Sequence, residues 1–460
     1  MKQVSERIQR GMDGIGIREK IAFGMVNIGN IPIQTLLNGF LMIFYTDVVG
    51  LNPAAIATLF LLARVIDGIN DPIMGFVVDH LPRTKMGRFR SYLLFGAVIC
   101  CANFLLVWFG PLWAPGGKLA VAYISYLILG ITFDLMDIPL NSMIPVMTDN
   151  DKERNSLSAI KGAAYMSGMM LLNMSFPLIL AAASNPTSGY YSLILTGTAI
   201  VLVFTIIGVR GIRERIEPVN TEEKYKLKDI IPILTSRPVL VMLFTSLIFF
   251  VAMATASGCA MYFYTYVLDN RLDVFSLTSL LSLAGMLPFM ILTPFFANRY
   301  GKKPIYLISL LIASVIPLIR LISVTNIPLL LGVTILTGMG SGFSMTLING
   351  LQADNVDYVE YTRKQRAEGA IASLNSFVVK AAMGVGGAIP GYILAATGYV
   401  PNQAQSDATK AGIIAAVIIL PAVLYFIALF IFGFGYNINK TRLAEITQSL
   451  RDKRAARVRG

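Results

Sequence analysis

Apolar runs of about 20 residues recur twelve times along the chain, separated by shorter polar or charged stretches. Each run is long enough to cross a hydrocarbon core of about 30 Å as a helix, and nothing along the chain alternates with the period of a strand. The pattern predicts an all-α membrane protein with twelve transmembrane helices. A basic turn after the second run, at 81–90, has a weaker echo after the eighth, at 297–303, about half a chain away. That repeat predicts two pseudo-symmetric six-helix bundles. The expected division is an N-terminal segment at 1–20, a first bundle at 21–210, a linker at 211–237, a second bundle at 238–436 and a basic tail at 437–460. Within the linker, 225–234 is expected to form an interfacial helix.

Polar residues inside the runs carry the functional information. Span 2 holds Arg64, Asp67, Asn70 and Asp71. On a helix these lie within an arc of roughly 120°, leaving the remaining surface apolar. A carboxylate deep in a span costs about 2.5 kcal/mol or more, so two of them call for a reason. A cation or proton site facing a wet cavity is one; a structural ion pair between Arg64 and an aspartate is the other.

Span 4 repeats the feature with Asp134, Asp137 and Asn141 on one face, broken by Pro139 and Pro145. Such breaks are tolerated where a cavity or a neighbour satisfies the backbone. Lys161, in the first turns of span 5, either snorkels to the surface or meets the span 4 carboxylates. Span 1, from about 21 to 45, carries Asn27, Asn30, Gln34 and Asn38, which suit either a cavity wall or interhelical hydrogen bonding. Span 11 carries Asn375, Ser376 and Lys380, with the lysine too deep for easy snorkelling. Span 3, from about 92 to 108, reads as lipid-facing, and Arg320 near the end of span 9 is expected to snorkel.

Composition agrees with the pattern: of 460 residues, 55% are hydrophobic and 14% charged, with a mean hydropathy of +0.67. The net charge of +12 raises nucleic-acid binding. The basic residues, however, gather before span 1 and after the even-numbered spans, while the alternate loops hold little beyond Lys118, Arg271 and Lys410. This is the positive-inside distribution of a multi-pass protein of the cell (inner) membrane with both termini cytoplasmic; no nucleic acid is implied. The polar, charged start has no small-residue cleavage site and does not read as a cleavable signal. Cys100, Cys101 and Cys259 lie in apolar runs without metal spacing, so neither a metal site nor another cofactor is expected. With His80 as the single histidine, little material exists for a membrane enzyme.

Several stretches together resemble one family: Thr46-Asp-Val-Val-Gly-Leu51, Ala63-Arg-Val-Ile-Asp-Gly-Ile-Asn-Asp-Pro-Ile-Met-Gly75, Met136-Asp-Ile-Pro139, the acidic run from Ala353 to Glu360 with Glu368-Gly369, and Val378-Val-Lys380. In order and across the whole chain they are similar to the glycoside–pentoside–hexuronide:cation symporters, of which the melibiose permeases are the best-known members. The resemblance implies a major facilitator fold and cation-coupled uptake, usually of sugars, by alternating access. It implies that Asp67, Asn70 and Asp71 form the cation-binding face with Arg64 beside it, that Asp137 holds sugar hydroxyls, and that Lys380 lies near both sites. Lys161 falls close to an arginine of the family that contacts substrate. The chain also departs from the melibiose permeases. Ile31 stands where they have an acidic sugar ligand, Asn141 and Met345 where they stack sugar on tryptophans, and Asp134 where a threonine completes their sodium site.

The expected function is therefore import of a sugar or sugar acid by symport with a proton or sodium ion, by a monomer in the bilayer. The alternatives are a lipid, lysolipid or other small-solute carrier of the same fold, or a membrane-embedded enzyme. Asp67, Asp71, Asp134 and Asp137 against Arg64, Lys161 and Lys380 leave one negative charge, which one monovalent cation neutralises. Crowded carboxylates in a poorly solvated site do not all stay ionised easily, so Asp134 tips the expectation towards proton coupling.

Overall fold

The computed structural model describes residues 14–80, 82, 84, 86–216, 236–363 and 368–459. Among them the secondary structure is helical apart from one isolated bridge between Thr84 and Gly87. The interfacial helix expected at 225–234 lies outside the described residues. In chain order the main helices are α1 (Ile17–Gly29), α2 (Ile31–Gly39), α3 (Pro53–His80), α4 (Phe89–Trp113), α5 (Lys118–Asn141), α6 (Asp151–Ala181), α7 (Pro186–Gly211), α8 (Arg237–Tyr262), α9 (Leu272–Tyr300), α10 (Lys302–Val315), α11 (Ile327–Arg363), α12 (Glu368–Ala396), α13 (Asp407–Ile414), α14 (Leu420–Gly435) and α15 (Lys440–Arg459).

Ten helices among the described residues are long and apolar enough to cross a membrane, and a bent pair at the start of the chain makes up to eleven. The remaining expected span is α3. Its 28 residues make about 42 Å of helix, enough to cross.

Span 1 is not the continuous helix expected. It breaks at Asn30, where Pro32 lacks the N–H that would continue the ladder, and bends by 52° after Gly39. Span 4 ends its regular helix at Asn141, and Pro145 falls in a separate short turn, Met143–Met147. Both breaks leave an asparagine at a helix end.

The chain divides into two compact units, Met1–Glu222 with Pro401–Gln403, and the remainder. In the first, α4 and α5 approach backbone to backbone: a Cβ at Gly96 would lie 2.6 Å from the Leu135 carbonyl oxygen. Span 3 therefore has two faces: Phe95, Val98 and Leu106 are exposed, as expected of a lipid-facing span, while the opposite face is buried. Cys100, Phe104, Val107 and Trp108 of α4 are all 0% exposed. Asn103 donates to the Ser125 carbonyl at 3.1 Å, and Tyr45 to the Val107 carbonyl at 2.8 Å. At the basic turn, Gly87 takes a left-handed φ of 115°. There the Glu214 carboxylate accepts from the backbone N–H groups of Arg88 (2.8 Å) and Arg90 (2.7 Å), capping the start of α4 from a distant part of the chain. Glu19 grips Arg215 through two bonds of 2.7 Å.

In the second unit α9 and α11 pack through reciprocal glycines. A Cβ at Gly285 would meet the Ile335 carbonyl at 2.3 Å, and one at Gly338 the Ser282 carbonyl at 2.4 Å. Small residues that let backbones approach are the ordinary glue of helices in lipid. Lys302 bonds Asp354 at 2.5 Å and the Gly350 carbonyl at 3.0 Å. The tail is a helix, α15, that buries Ile446 and Leu450 and leaves most of its other described side chains exposed or half-buried. Arg320 does not snorkel: its Nη2 donates to Thr334 on α11 at 2.6 Å.

Candidate substrate and cation site

One face of α5 organises the polar residues of the first unit. Gly130, Asp134 and Asp137 follow one another at four and three residues, so they stack along one side of the helix. Opposite Gly130 lies Asp67 of α3. A Cβ at Gly130 would stand 2.5 Å from Asp67 Oδ1, so the glycine lets that carboxylate lie close against α5 as it is placed. One turn on, Asn70 Nδ2 donates to Asp134 Oδ2 at 2.8 Å. Spans 2 and 4 thus run side by side in the same direction, in a register that sets residue 67 against 130 and 70 against 134. Arg64 Nη1 pairs with Asp67 Oδ2 at 3.0 Å, with both side chains partly exposed. The ion pair weighed from the sequence is therefore present, and its partner is Asp67. The side chains of Asp71 and His80 lie outside the described residues.

A second cluster begins one turn further along α5. Asp137 accepts Asn30 Nδ2 at 2.6 Å through one oxygen and Asn141 Nδ2 at 2.7 Å through the other. Lys161 Nζ donates to Asn141 Oδ1 at 2.5 Å. The chain Lys161–Asn141–Asp137–Asn30 therefore joins spans 5, 4 and 1. Lys161 neither snorkels nor touches a carboxylate directly; among the described residues it reaches Asp137 only through the Asn141 amide. One of its three N–H groups is engaged by the bond to Asn141, and Asn30 Oδ1 is buried without a hydrogen-bond partner. Both breaks in the helices serve this cluster, since Asn30 and Asn141 are the residues at which α1 and α5 end.

The remaining span 1 residues separate. Asn27 is buried and bonds the Phe23 carbonyl at 2.7 Å, whereas Gln34 and Asn38 are exposed. Ile31, in place of an acidic ligand, is 2% exposed and packs against Gly168 of α6. Cluster members not singled out from the sequence are Asn30 and Gly130. Asn30 was one of four polar residues in its span, with no signal to single it out. Gly130 reads in sequence as any glycine in an apolar run.

The other candidates belong to the second unit. Asn375, Ser376 and Lys380 lie on α12, with Ser376 and Lys380 one turn apart. Asn375 Oδ1 is buried without a hydrogen-bond partner, Ser376 is exposed and Lys380 is half-buried. Met345 is partly buried and packs on the core around Phe249, Phe343 and Leu347. Among the described residues no group of three or more His, Cys, Asp or Glu side chains gathers as a metal-ligand set. Any cation handled by the first unit would be held by carboxylate and amide oxygens, of which Asp67, Asn70 and Asp134 supply the described ones.

Comparison with known proteins agrees with this reading of the fold and class. Residues 22–440 match the family described as MFS/sugar transport protein. The isoprimeverose transporter of Lactiplantibacillus pentosus is 33% identical over 380 residues, covering 81% of this chain and 78% of that protein. The glucuronide carrier protein homolog of Escherichia coli K12 is 30% identical over 421 residues, covering 90% and 91%. Among solved structures, a variant of the nucleoside transporter NupG superposes with a TM-score of 0.67 at 12% identity, over 91% of this chain and all of that one, a likeness of fold. With a helical bilayer-crossing architecture and a match over nearly its whole length, the chain is a membrane transporter and not an enzyme, and it belongs to the MFS/sugar transport protein family.

Proposed function

We propose that this transporter imports a sugar or sugar acid by symport with a proton or sodium ion through alternating access. The observation that carries the reading is that one helix, α5, bears both clusters. Asp134 is tied to the amide of span 2, which also carries Asp67 against Gly130. Asp137, less than one turn away, is tied to spans 1 and 5. A cation drawn to the first set and a polyol drawn to the second would each bias the position of the same helix. That is the physical requirement for coupling. The clusters suit these ligands: Asp67, Asn70, Asp71 and Asp134 offer hard oxygen atoms to a cation, and Asp137 with Asn30 Oδ1 offers acceptors to hydroxyl groups. Asn141, Met345, Asn375, Ser376 and Lys380 complete the proposed substrate contacts, and Arg64 and Lys380 the charge network. The solute is a small carbohydrate, as for the sugar-transporting relatives. The basic-loop distribution supports cytoplasmic termini in the cell membrane; a monomer with bundles at 21–210 and 238–436 belongs to the same proposal. The direct test is uptake of labelled glycosides, pentosides and uronates into proteoliposomes with and without sodium and pH gradients. Gradient-stimulated uptake of none of them overturns the proposal.

Lys161 sets the choice between neutral and anionic sugars in this reading. No carboxylate pairs with its ammonium among the described residues, so its positive charge is left for a substrate. Replacing Lys161 with Ala is expected to weaken uronate binding by about ten- to a hundredfold, the equivalent of one charge-assisted bond of about 1.5–3 kcal/mol, and to weaken the neutral parent sugar far less. Equal losses in a competition assay would make Lys161 a structural residue.

Asp134 sets the cation. An ionisable group beside Asn70 can carry a proton where a hydroxyl cannot, so transport is expected to depend on pH. Replacing Asp134 with Thr should move the dependence from pH towards sodium. Wild-type uptake driven by sodium alone and unaffected by pH removes this assignment.

A further inference from the structure

Span 9 ends in a 3₁₀ stretch, Ile316–Ile322, with Pro317 in its first turn. In a 3₁₀ helix residues three apart eclipse one another, so Arg320 stands directly over Pro317. Both line a cavity of about 190 Å³ inside the second unit. Its other walls include Phe249 of α8, Thr337, Ser341 and Ser344 of α11, and Tyr425 of α14.

The chemistry of the lining is lopsided. Arg320 gives one N–H to Thr334, its Nε is buried without a partner, and among the described residues no carboxylate pairs with it. The hydroxyl hydrogens of Thr337 and Ser341 go to backbone carbonyls at 3.0 and 3.2 Å, and that of Ser344 to Ser309 at 2.8 Å. The guanidinium is thus the dominant charged donor facing the cavity, and no counter-charge pairs with it among the described residues. A cation held in an apolar interior calls for an anion or for abundant water.

We propose that this cavity binds a small monovalent inorganic anion of the halide class against Arg320. The volume exceeds the ~30 Å³ of one water several-fold, so a halide fits together with part of its hydration shell. A single guanidinium neutralises a single negative charge, which favours a halide over a divalent anion. The site uses none of the residues assigned above to cation or sugar, so it stands independently of that assignment.

The test is thermal unfolding of the purified full chain in detergent, at equal concentrations of sodium chloride, sodium bromide and sodium gluconate. At about 100 mM, chloride and bromide are expected to raise Tm by about 2–4 °C over gluconate, which is too large for the cavity. Loss of that shift in Arg320→Gln is the supporting result. Where Arg320→Gln yields no folded protein, loss of the shift in Ser341→Leu, which fills the cavity and leaves the guanidinium in place, takes its part. The same Tm in all three salts, or a halide shift that survives in the deciding variant, overturns the proposal. So does stabilisation by phosphatidylglycerol with none by halide, because the counter-charge would then be a lipid phosphate.

Discussion

Replacing Asp67 with Asn is expected to abolish uphill accumulation of substrate, bringing the internal-to-external ratio down to one, while exchange of substrate between the two sides continues. Asparagine matches the volume of aspartate, so the fit against Gly130 is kept and the contact of spans 2 and 4 survives. What is lost is the charge. Without it the oxygen set beside Asn70 and Asp134 has one fewer anionic ligand, and a cation gains too little there to bias α5. The variant also strands Arg64, whose partner at 3.0 Å becomes neutral. Because both side chains are partly exposed, this costs less than breaking a fully buried pair, which is worth about 3–5 kcal/mol. Pairing Asp67→Asn with Arg64→Gln separates the two effects. The double variant should recover stability and still fail to accumulate substrate. Wild-type accumulation by Asp67→Asn in proteoliposomes would remove Asp67 from the coupling site.

Replacing Asp137 with Asn is expected to weaken substrate binding by a hundredfold or more. Asp137 accepts one amide N–H on each oxygen, from Asn30 at 2.6 Å and from Asn141 at 2.7 Å. An asparagine there turns one acceptor into a donor that faces another amide donor. One of the two bonds is lost, the Asn30–Asn141 bridge opens, and the anionic acceptor for sugar hydroxyls disappears. Two such losses of about 1–3 kcal/mol each correspond to a hundredfold or more in Kd. Titration calorimetry on the purified variant reads the effect, and thermal unfolding alongside it reports whether the bundle still forms. A folded variant that binds within threefold of wild type would show that Asp137 positions helices without touching the solute.

One variant probes the α3 partner of Gly130 and the other Asp137, two turns further along α5. Loss of accumulation with retained exchange in the first, and loss of binding in the second, is the pattern expected if cation and solute act on the same helix. The reverse pattern would exchange the two clusters.

Much of this was legible in the amino-acid order. Hydrocarbon imposes a length and an apolarity on any segment that crosses it, so the spans could be counted and each charge inside them flagged as costly. That reasoning picked out Arg64, Asp67, Asn70, Asp134, Asp137, Asn141 and Lys161, the polar members of the two clusters apart from Asn30. It also carried the helical class and the family. Helical periodicity places residues on a face but does not say what the face meets. That Asp67 rests against Gly130, that Asn30 reaches Asp137, and that Lys161 touches Asn141 were decided by the packing of distant segments. The buried face of α4 and the inward Arg320 escaped the sequence for a related reason. In water an apolar face announces the core, but in lipid the outside is as apolar as the inside. Hydropathy then loses its contrast, and only the close approach of backbones at glycines such as Gly96, or a proline that tightens a helix end as Pro317 does, determines which face turns inward.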